Sequence, residues 1–251
     1  MTTGALIFAR NNEHIDYVSM ARWSAKNIKR HLGIETHIVT DDSRLDSGSR
    51  YFADAGTVTW HNTNRMDAYR LSPWDRTLVL DADYVVASDQ LRSILDCDAD
   101  FLAHRWAYDV TGCNNFEGLN YFGSVRMPMW WATVMVFNRS HRAKLVFDTM
   151  TMIRDHWTHY RRIYKNNTPT YRNDHALSIA LLIVNGHTLN HTEIPWQLAS
   201  LTPEHRLTQL DKDSYRVDFV DTQCRPRWIE LRQDFHAMGK KHLGDIVANH
   251  S

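Results

Sequence analysis

The stretch that most restricts the fold is Thr77-Leu78-Val79-Leu80-Asp81-Ala82-Asp83-Tyr84-Val85-Val86. Its apolar, β-branched opening reads as a strand buried on both faces, as inside a parallel sheet. Two carboxylates one residue apart then interrupt the run. Side chains at i and i+2 of a strand share a face, so Asp81 and Asp83 are expected to converge at the strand's carboxyl end. Two such acids repel each other and are costly to desolvate. A hard divalent cation removes both problems, since Mg2+ or Mn2+ takes a pair of carboxylate oxygens and completes its shell with phosphate oxygens. The plainer alternative is a solvated turn in which one acid caps the following helix.

The surrounding pattern supports the strand. Apolar runs at 5–9, 36–40 and, more weakly, 57–60 read as strands. Ile15, Val18, Ala21, Ala25 and Ile28 fall near helical spacing across 14–32, and Gly33 stops that helix. A helix at 64–71 and a Ser72-Pro73-Trp74 turn lead into the central strand. Beyond it the sequence predicts a short helix at 89–95, a strand at 101–104, an irregular segment at 107–128 and a strand at 131–137. One long amphipathic helix follows at 142–164, then a helix at 174–184 and strands at 187–191, 216–220 and 229–231. This alternation predicts an α/β chain: a mostly parallel, doubly wound sheet flanked by helices, one domain over 1–251 with a small C-terminal subregion. Ligands of such sheets lie beyond the carboxyl ends of the strands, where Arg10, Asp41 and the two acids gather.

Composition narrows the function classes. With 43% apolar and 23% charged residues and no net charge, the 251-residue chain has no global drive toward nucleic acid or membrane. The average hides a gradient, however. Residues 126–172 carry nine Lys or Arg against two acids, Asp148 and Asp155, interleaved with Trp130, Trp131, Trp157, Tyr160, Tyr164 and Tyr171. Charge among stacking surfaces suits a nucleic-acid face, while the same aromatics at helical spacing suit a core. Cys97, Cys113 and Cys224 form an odd, scattered set that reads as reduced thiols, and no stretch approaches a membrane span. With no signal-peptide pattern at the N-terminus, the expected location is cytoplasmic, and the Asn-x-Ser/Thr matches at Asn138, Asn166 and Asn190 are taken as incidental.

Phosphate-cradling glycine loops and the nucleophile elbow are missing from the sequence. Phosphates would therefore be held by a metal and by basic side chains. The tail Asp234-Phe235-His236-Ala237-Met238-Gly239-Lys240-Lys241-His242 offers both. His236 supplies an imidazole ligand, Gly239 allows close backbone approach, and Lys240 or Lys241 brings charge. Taken alone, His236 reads as a surface histidine. The pairs His156/His159 and His187/His191 have zinc-like spacing but lack further ligands.

Leu80-Asp81-Ala82-Asp83, the Ser-Pro turn with its arginine-bearing helix and the histidine–glycine–lysine tail together resemble GT-A-fold glycosyltransferases, most closely glycosyltransferase family 8, in order over residues 4–242. The resemblance implies a nucleotide-binding half, 1–100, ending in the D-x-D strand, and an acceptor and sugar half, 101–251. It also implies Mn2+ or Mg2+ on Asp81, Asp83 and His236. Phe8, Ala9 and Arg10 would sit at the base and ribose, and Arg70, Asp81, Gly239 and Lys240 beside the diphosphate. Asn173-Asp174 would face the anomeric carbon. Trp131-Ala132-Thr133 replaces the family's Asn-Ser-Gly, His242 stands at the terminal lysine position, and Asp174 stands where an amide is common.

The implied activity is transfer of a sugar from a nucleotide-diphosphate donor, a UDP-sugar by resemblance, to an acceptor hydroxyl, with retention of configuration. A glycan acceptor ranks above a hydroxylated base in DNA. A sugar-phosphate nucleotidyltransferase is the first alternative, although Ala9-Arg10-Asn11-Asn12 is not the glycine-rich loop it needs. A non-catalytic sugar- or nucleotide-binding module is the second.

Overall fold

The computed structural model describes residues 1–40, 65–188 and 193–249. Strand β1 (Thr3–Phe8) leads into α1 (Tyr17–Leu32), whose first turn is capped by Asp16 accepting from the Ser19 amide at 3.0 Å. Gly33, at φ +73°, ends the helix in the left-handed conformation that glycine adopts without strain. Strand β2 (Glu35–Val39), a 3-10 turn at Arg65–Asp67, α2 (Ala68–Leu71), β3 (Arg76–Asp81), β4 (Tyr84–Val85) and α3 (Arg92–Leu95) follow. Next come β5 (Phe101–His104), β6 (Ala107–Asp109), β7 (Tyr121–Phe122), β8 (Met127–Pro128) and β9 (Trp131–Asn138). Helices α4 (His141–Asp155), α5 (Trp157–Ile163) and α6 (Asn173–Val184) then precede β10 (Leu198–Leu201), β11 (Arg206–Gln209), β12 (Tyr215–Val220), β13 (Pro226–Leu231), β14 (Phe235–Ala237) and α7 (Lys240–Ala248).

The central sheet has the order β2-β1-β3-β9-β5. Four of its strands run the same way; β9 is inserted antiparallel between β3 and β5. The alternation of buried side chains explains the unbroken apolar runs. Ala5, Ile7, Leu78, Leu80, Val134 and Val136 pack with α1 and α7 on one face. Leu6, Phe8, Val79, Met135 and Phe137 pack with α4 and α6 on the other. Both faces are dry, so no polar alternation survives. A second sheet, β4-β14-β10-β6, and an antiparallel one, β11-β12-β13, form the C-terminal part.

Several expectations shift. The D-x-D strand is not continuous: β3 ends at Asp81, Ala82 and Asp83 turn, and the chain resumes as the short β4. The long helix expected over 142–164 is two, because His156 leaves helical geometry at φ −117°, ψ 32°. Residues 107–128 contain three short strands, and β10 and β11 were not foreseen. His187 lies in a turn instead of starting a strand; residues 189–191 and 57–60, and Asp41, fall outside the described residues. The nucleic-acid reading of 126–172 loses its premise: Trp130, Trp131, Trp157, Tyr164 and Tyr171 are buried in the core, where no base can stack on them.

Candidate metal and diphosphate site

Asp81 terminates β3, and the turn after it swings Asp83 back beside it. Strand β14 fixes the third member, since His236 pairs antiparallel with Tyr84 and the Ala237 amide donates to the Asp83 carbonyl at 2.9 Å. As a result Asp81, Asp83 and His236 each present a ligand atom within 4.8 Å of the other two. That spread is close to the ~4.2 Å separating oxygens on opposite sides of an ion bound at about 2.1 Å. His236 Nε2 stands 3.6 Å from Asp83 Oδ1, longer than a hydrogen bond and suited to two ligands facing one ion. Two carboxylates and an imidazole are a donor set for Mn2+ or Mg2+, so the residues fit the metal that the resemblance implies.

These three residues floor a pocket of about 440 Å3. It is also lined by the cations Arg65, Arg172 and Lys240, by Asn173 and Asp174, and by Trp131, Thr133, Thr170 and Met238. Arg65 pairs with Asp81, Lys240 Nζ lies 2.9 Å from Asp83 Oδ2, and Arg172 lies 3.3 Å from Asp174 Oδ2. Burial works against the ionisation of Asp83, but the ammonium of Lys240 and the imidazole of His236 outweigh it and hold this carboxyl well below the usual carboxylate range. Burial lowers the Arg65 guanidinium, opposed by the nearby Asp174 and Asp83.

Ala132 ties the opposite walls together. Its amide donates to Asp174 Oδ1 at 2.8 Å, and its carbonyl accepts from Arg65 at 3.0 Å. Ala132 thus contributes backbone groups, which any residue carries, between the lining side chains of Trp131 and Thr133. Asp174, at the start of α6, has one oxygen on that amide and the other beside Arg172, an arrangement that orients the carboxylate.

The remaining expected residues divide. Phe8 sits level with Asp81 in register, and the Ala9 amide donates to Val39, so the end of β1 adjoins the site without lining the pocket. Arg10 and Gly239 also lie outside its lining. A side chain at Gly239 would meet nothing closer than the Pro203 carbonyl oxygen at 3.5 Å, so packing within the protein does not demand glycine there. Arg70 is on α2, exposed and 3.2 Å from Asp67; it does not line the pocket. The arginine that reaches the acids is Arg65, which the sequence reading missed. Nothing in the local pattern separates the two arginines. Lys240 also borders a second hollow of about 650 Å3 between α1 and α7, lined by His14, Ile15, Ser19 and Met20 among others. No described helix is long and apolar enough to cross a membrane.

No protein-family model and no curated sequence matches the chain. Among solved structures it is similar to the glycosyltransferase GlyE of Streptococcus pneumoniae TIGR4, at 16% identity and TM-score 0.43, over 77% of this chain and 45% of that one. It is similar to the galactosyltransferase LgtC in complex with donor and acceptor sugar analogs, at 15% identity and TM-score 0.43, over 71% of this chain and 70% of that one. A putative glucose-1-phosphate thymidylyltransferase from Bacillus anthracis is similar at 10% identity and TM-score 0.38, over 76% of this chain and 98% of that one. The chain thus spans less than half the length of GlyE. Likeness at this level does not define an activity, and the fold alone does not separate glycosyl from nucleotidyl transfer; the site's own residues must do so.

Proposed function

We propose that the chain is a metal-dependent glycosyltransferase that moves a sugar from a nucleotide-diphosphate donor, a UDP-sugar by family resemblance, to an acceptor hydroxyl. The observation that carries this is the convergence of Asp81, Asp83 and His236 on one point beneath a rim of Arg65, Arg172 and Lys240. The three cations match the charges of Asp81, Asp83 and Asp174. A dication would leave the pocket with a surplus of positive charge, which a diphosphate neutralises. A binding module for neutral sugars has no use for such a balance.

The costly event is departure of the nucleoside diphosphate. A divalent ion on Asp81, Asp83 and His236 would supply Lewis-acid stabilisation of that leaving group. Lys240 and Arg65 add fixed positive charge in a partly dry site, where it acts strongly. Asn173 and Asp174 line the same pocket, and by the resemblance they are the pair that meets the sugar's anomeric carbon. Asp174, held by Ala132 and Arg172, stabilises positive charge at that carbon, and a retaining course follows from the family resemblance. The nucleoside lies towards the end of β1, with Phe8, Ala9 and Arg10, and Gly239 admits the phosphates.

The test is incubation of the purified chain with a panel of nucleotide-diphosphate sugars in Mn2+, with product analysis and no acceptor. Release of nucleoside diphosphate and free sugar, lost in chelator, supports the reading. Formation of sugar 1-phosphate and nucleoside triphosphate from donor and pyrophosphate would establish the nucleotidyltransferase instead. Donor binding indifferent to Mn2+, with no products, would leave the binding module.

A further inference from the structure

Past the carboxyl end of the edge strand β5 lies an aromatic surface that the donor reading does not use. Trp106 lies two residues beyond β5 and is 37% exposed, unusual for the largest apolar side chain. Its ring meets that of Tyr121 edge-on, with centroids 5.9 Å apart. The guanidinium of Arg105 lies 4.0 Å from the Trp106 ring centroid, and that of Arg126 lies 4.5 Å from the Tyr121 ring. Leu119 and Val125 extend the exposed apolar area.

This surface is fixed to the pocket wall. Buried Asn120 accepts from the Ala107 amide at 2.8 Å, donates to the Ala107 carbonyl at 3.0 Å and accepts from the indole of Trp131 at 3.2 Å. One amide therefore joins the residue after Trp106, the residue before Tyr121 and a pocket-lining tryptophan. Arg105 donates to the Asn120 and Met129 carbonyls. Gly123, at φ +67°, is pressed so closely on the Tyr164 carbonyl that a Cβ there would stand 2.3 Å from its oxygen, which pins the loop carrying Tyr121. The rings are held in place before anything binds.

We propose that Trp106 and Tyr121 form the acceptor subsite and take a ring of a neutral oligosaccharide. Charge selects this occupant. Of the two arginines that lie on these rings, Arg126 is neutralised by Glu117 at 2.9 Å and Arg105 is engaged with carbonyls and rings, so neither is spare for a phosphate backbone. Asn114 and Asn115 are exposed in the segment that joins Trp106 to Tyr121; Asn114 donates to Asp109 and Asn115 accepts from the Glu117 amide, which leaves the Asn114 carbonyl oxygen and the Asn115 amino group as the side-chain groups suited to hydroxyls. The inference rests on the glycosyl-transfer reading and names the acceptor class for it.

The experiment is a glycan array probed with the labelled full chain, alongside Trp106→Ala, Tyr121→Ala and the stacking-conservative Trp106→Phe, each checked for native circular dichroism. Wild type is expected to bind a set of neutral oligosaccharides. Each alanine variant should weaken that binding about tenfold, the cost of truncating a central aromatic contact, and Trp106→Phe should retain most of it. The proposal is overturned if wild type binds no neutral glycan, if the alanine variants bind as wild type does, or if the surface instead binds duplex DNA with steep salt dependence. Wild-type donor hydrolysis separates the two readings. Hydrolysis without glycan binding removes the subsite alone, whereas glycan binding through Trp106 without hydrolysis removes the transfer reading, and with it the acceptor role, and leaves only a glycan-binding surface.

Discussion

The Lys240 ammonium lies 2.9 Å from Asp83 Oδ2, and the two side chains differ sharply in exposure: 34% for the lysine, 6% for the acid. The pair straddles the boundary of the pocket. Asp83 is immobile in the floor, while Lys240, at the first residue of α7, reaches in from the solvent side. A cation entering the floor would therefore release Lys240 towards an incoming anion.

Synergy between metal and nucleotide follows. Without a diphosphate, Mn2+ must compete with Lys240 and Arg65 for the same carboxylates and leaves their charges unbalanced. Titration calorimetry should show Mn2+ binding at least about tenfold tighter with saturating UDP than without it, and UDP binding tighter by the same factor with Mn2+. Independent binding of the two would contradict the charge balance described for the pocket.

Arg65 and Arg70 should behave differently despite their proximity in sequence. Arg65 bridges Asp81 and the Ala132 carbonyl, whereas Arg70 is exposed and pairs within its own segment. Arg65→Ala is expected to reduce donor turnover by about a hundredfold or more, as for loss of a charge-stabilising donor. Arg70→Ala should stay within a few fold. Steady-state kinetics on both variants decides the matter, and the reverse ranking would move the phosphate site to α2.

Asp174→Asn keeps an oxygen able to accept from the Ala132 amide, so the fold should persist. The substitution removes the negative charge that the proposed function sets beside the sugar's anomeric carbon. Turnover should drop by about a hundredfold, with donor affinity changed much less. Loss confined to affinity would make Asp174 a binding residue.

Stability should rise with pH between about 4 and 6.5. Burial pushes His104 and His175 down to about 4; His175 is stacked between Trp157 and Phe122. For a histidine lowered in this way, the unfolded chain binds the extra proton, so stability is complete above the unfolded value and falls as pH drops towards 4. Asp234, pushed up to about 6 by burial despite donors from Ala87 and Ser88, acts oppositely: its contribution is complete at low pH and fades as pH rises through 6. His37 and His205 are also lowered by burial, so the histidines outweigh the one acid and the net effect is stability that rises with pH across this window. Denaturant unfolding at pH 4.5, 5.5 and 6.5 measures it, and a His175→Phe variant should show a shallower rise over that window.

How much of this was legible in the sequence can be argued residue by residue. The β1, β3 and β9 runs announced themselves because both faces of the central sheet are dry, and that condition writes itself as uninterrupted apolar sequence. The start and stop of α1 were equally local, resting on its apolar spacing and Gly33. The acids at 81 and 83 were visible for the same reason, as charge where the pattern forbids it. The break at His156 was not visible, and the turn at Ala82-Asp83 was only the alternative reading, because neither contains a residue that must leave its regular geometry.

What only the tertiary structure decided is which distant groups meet. His236 reaches the acids through strand pairing between β14 and β4, across about 150 residues of chain. Arg65 prevails over Arg70 because it alone faces Ala132, and the aromatics of 126–172 turn inward because both faces of that sheet must be covered. Local pattern records what each residue needs around it. Which partner meets that need is settled by packing between segments remote in sequence, and no window of sequence contains both sides of such a contact.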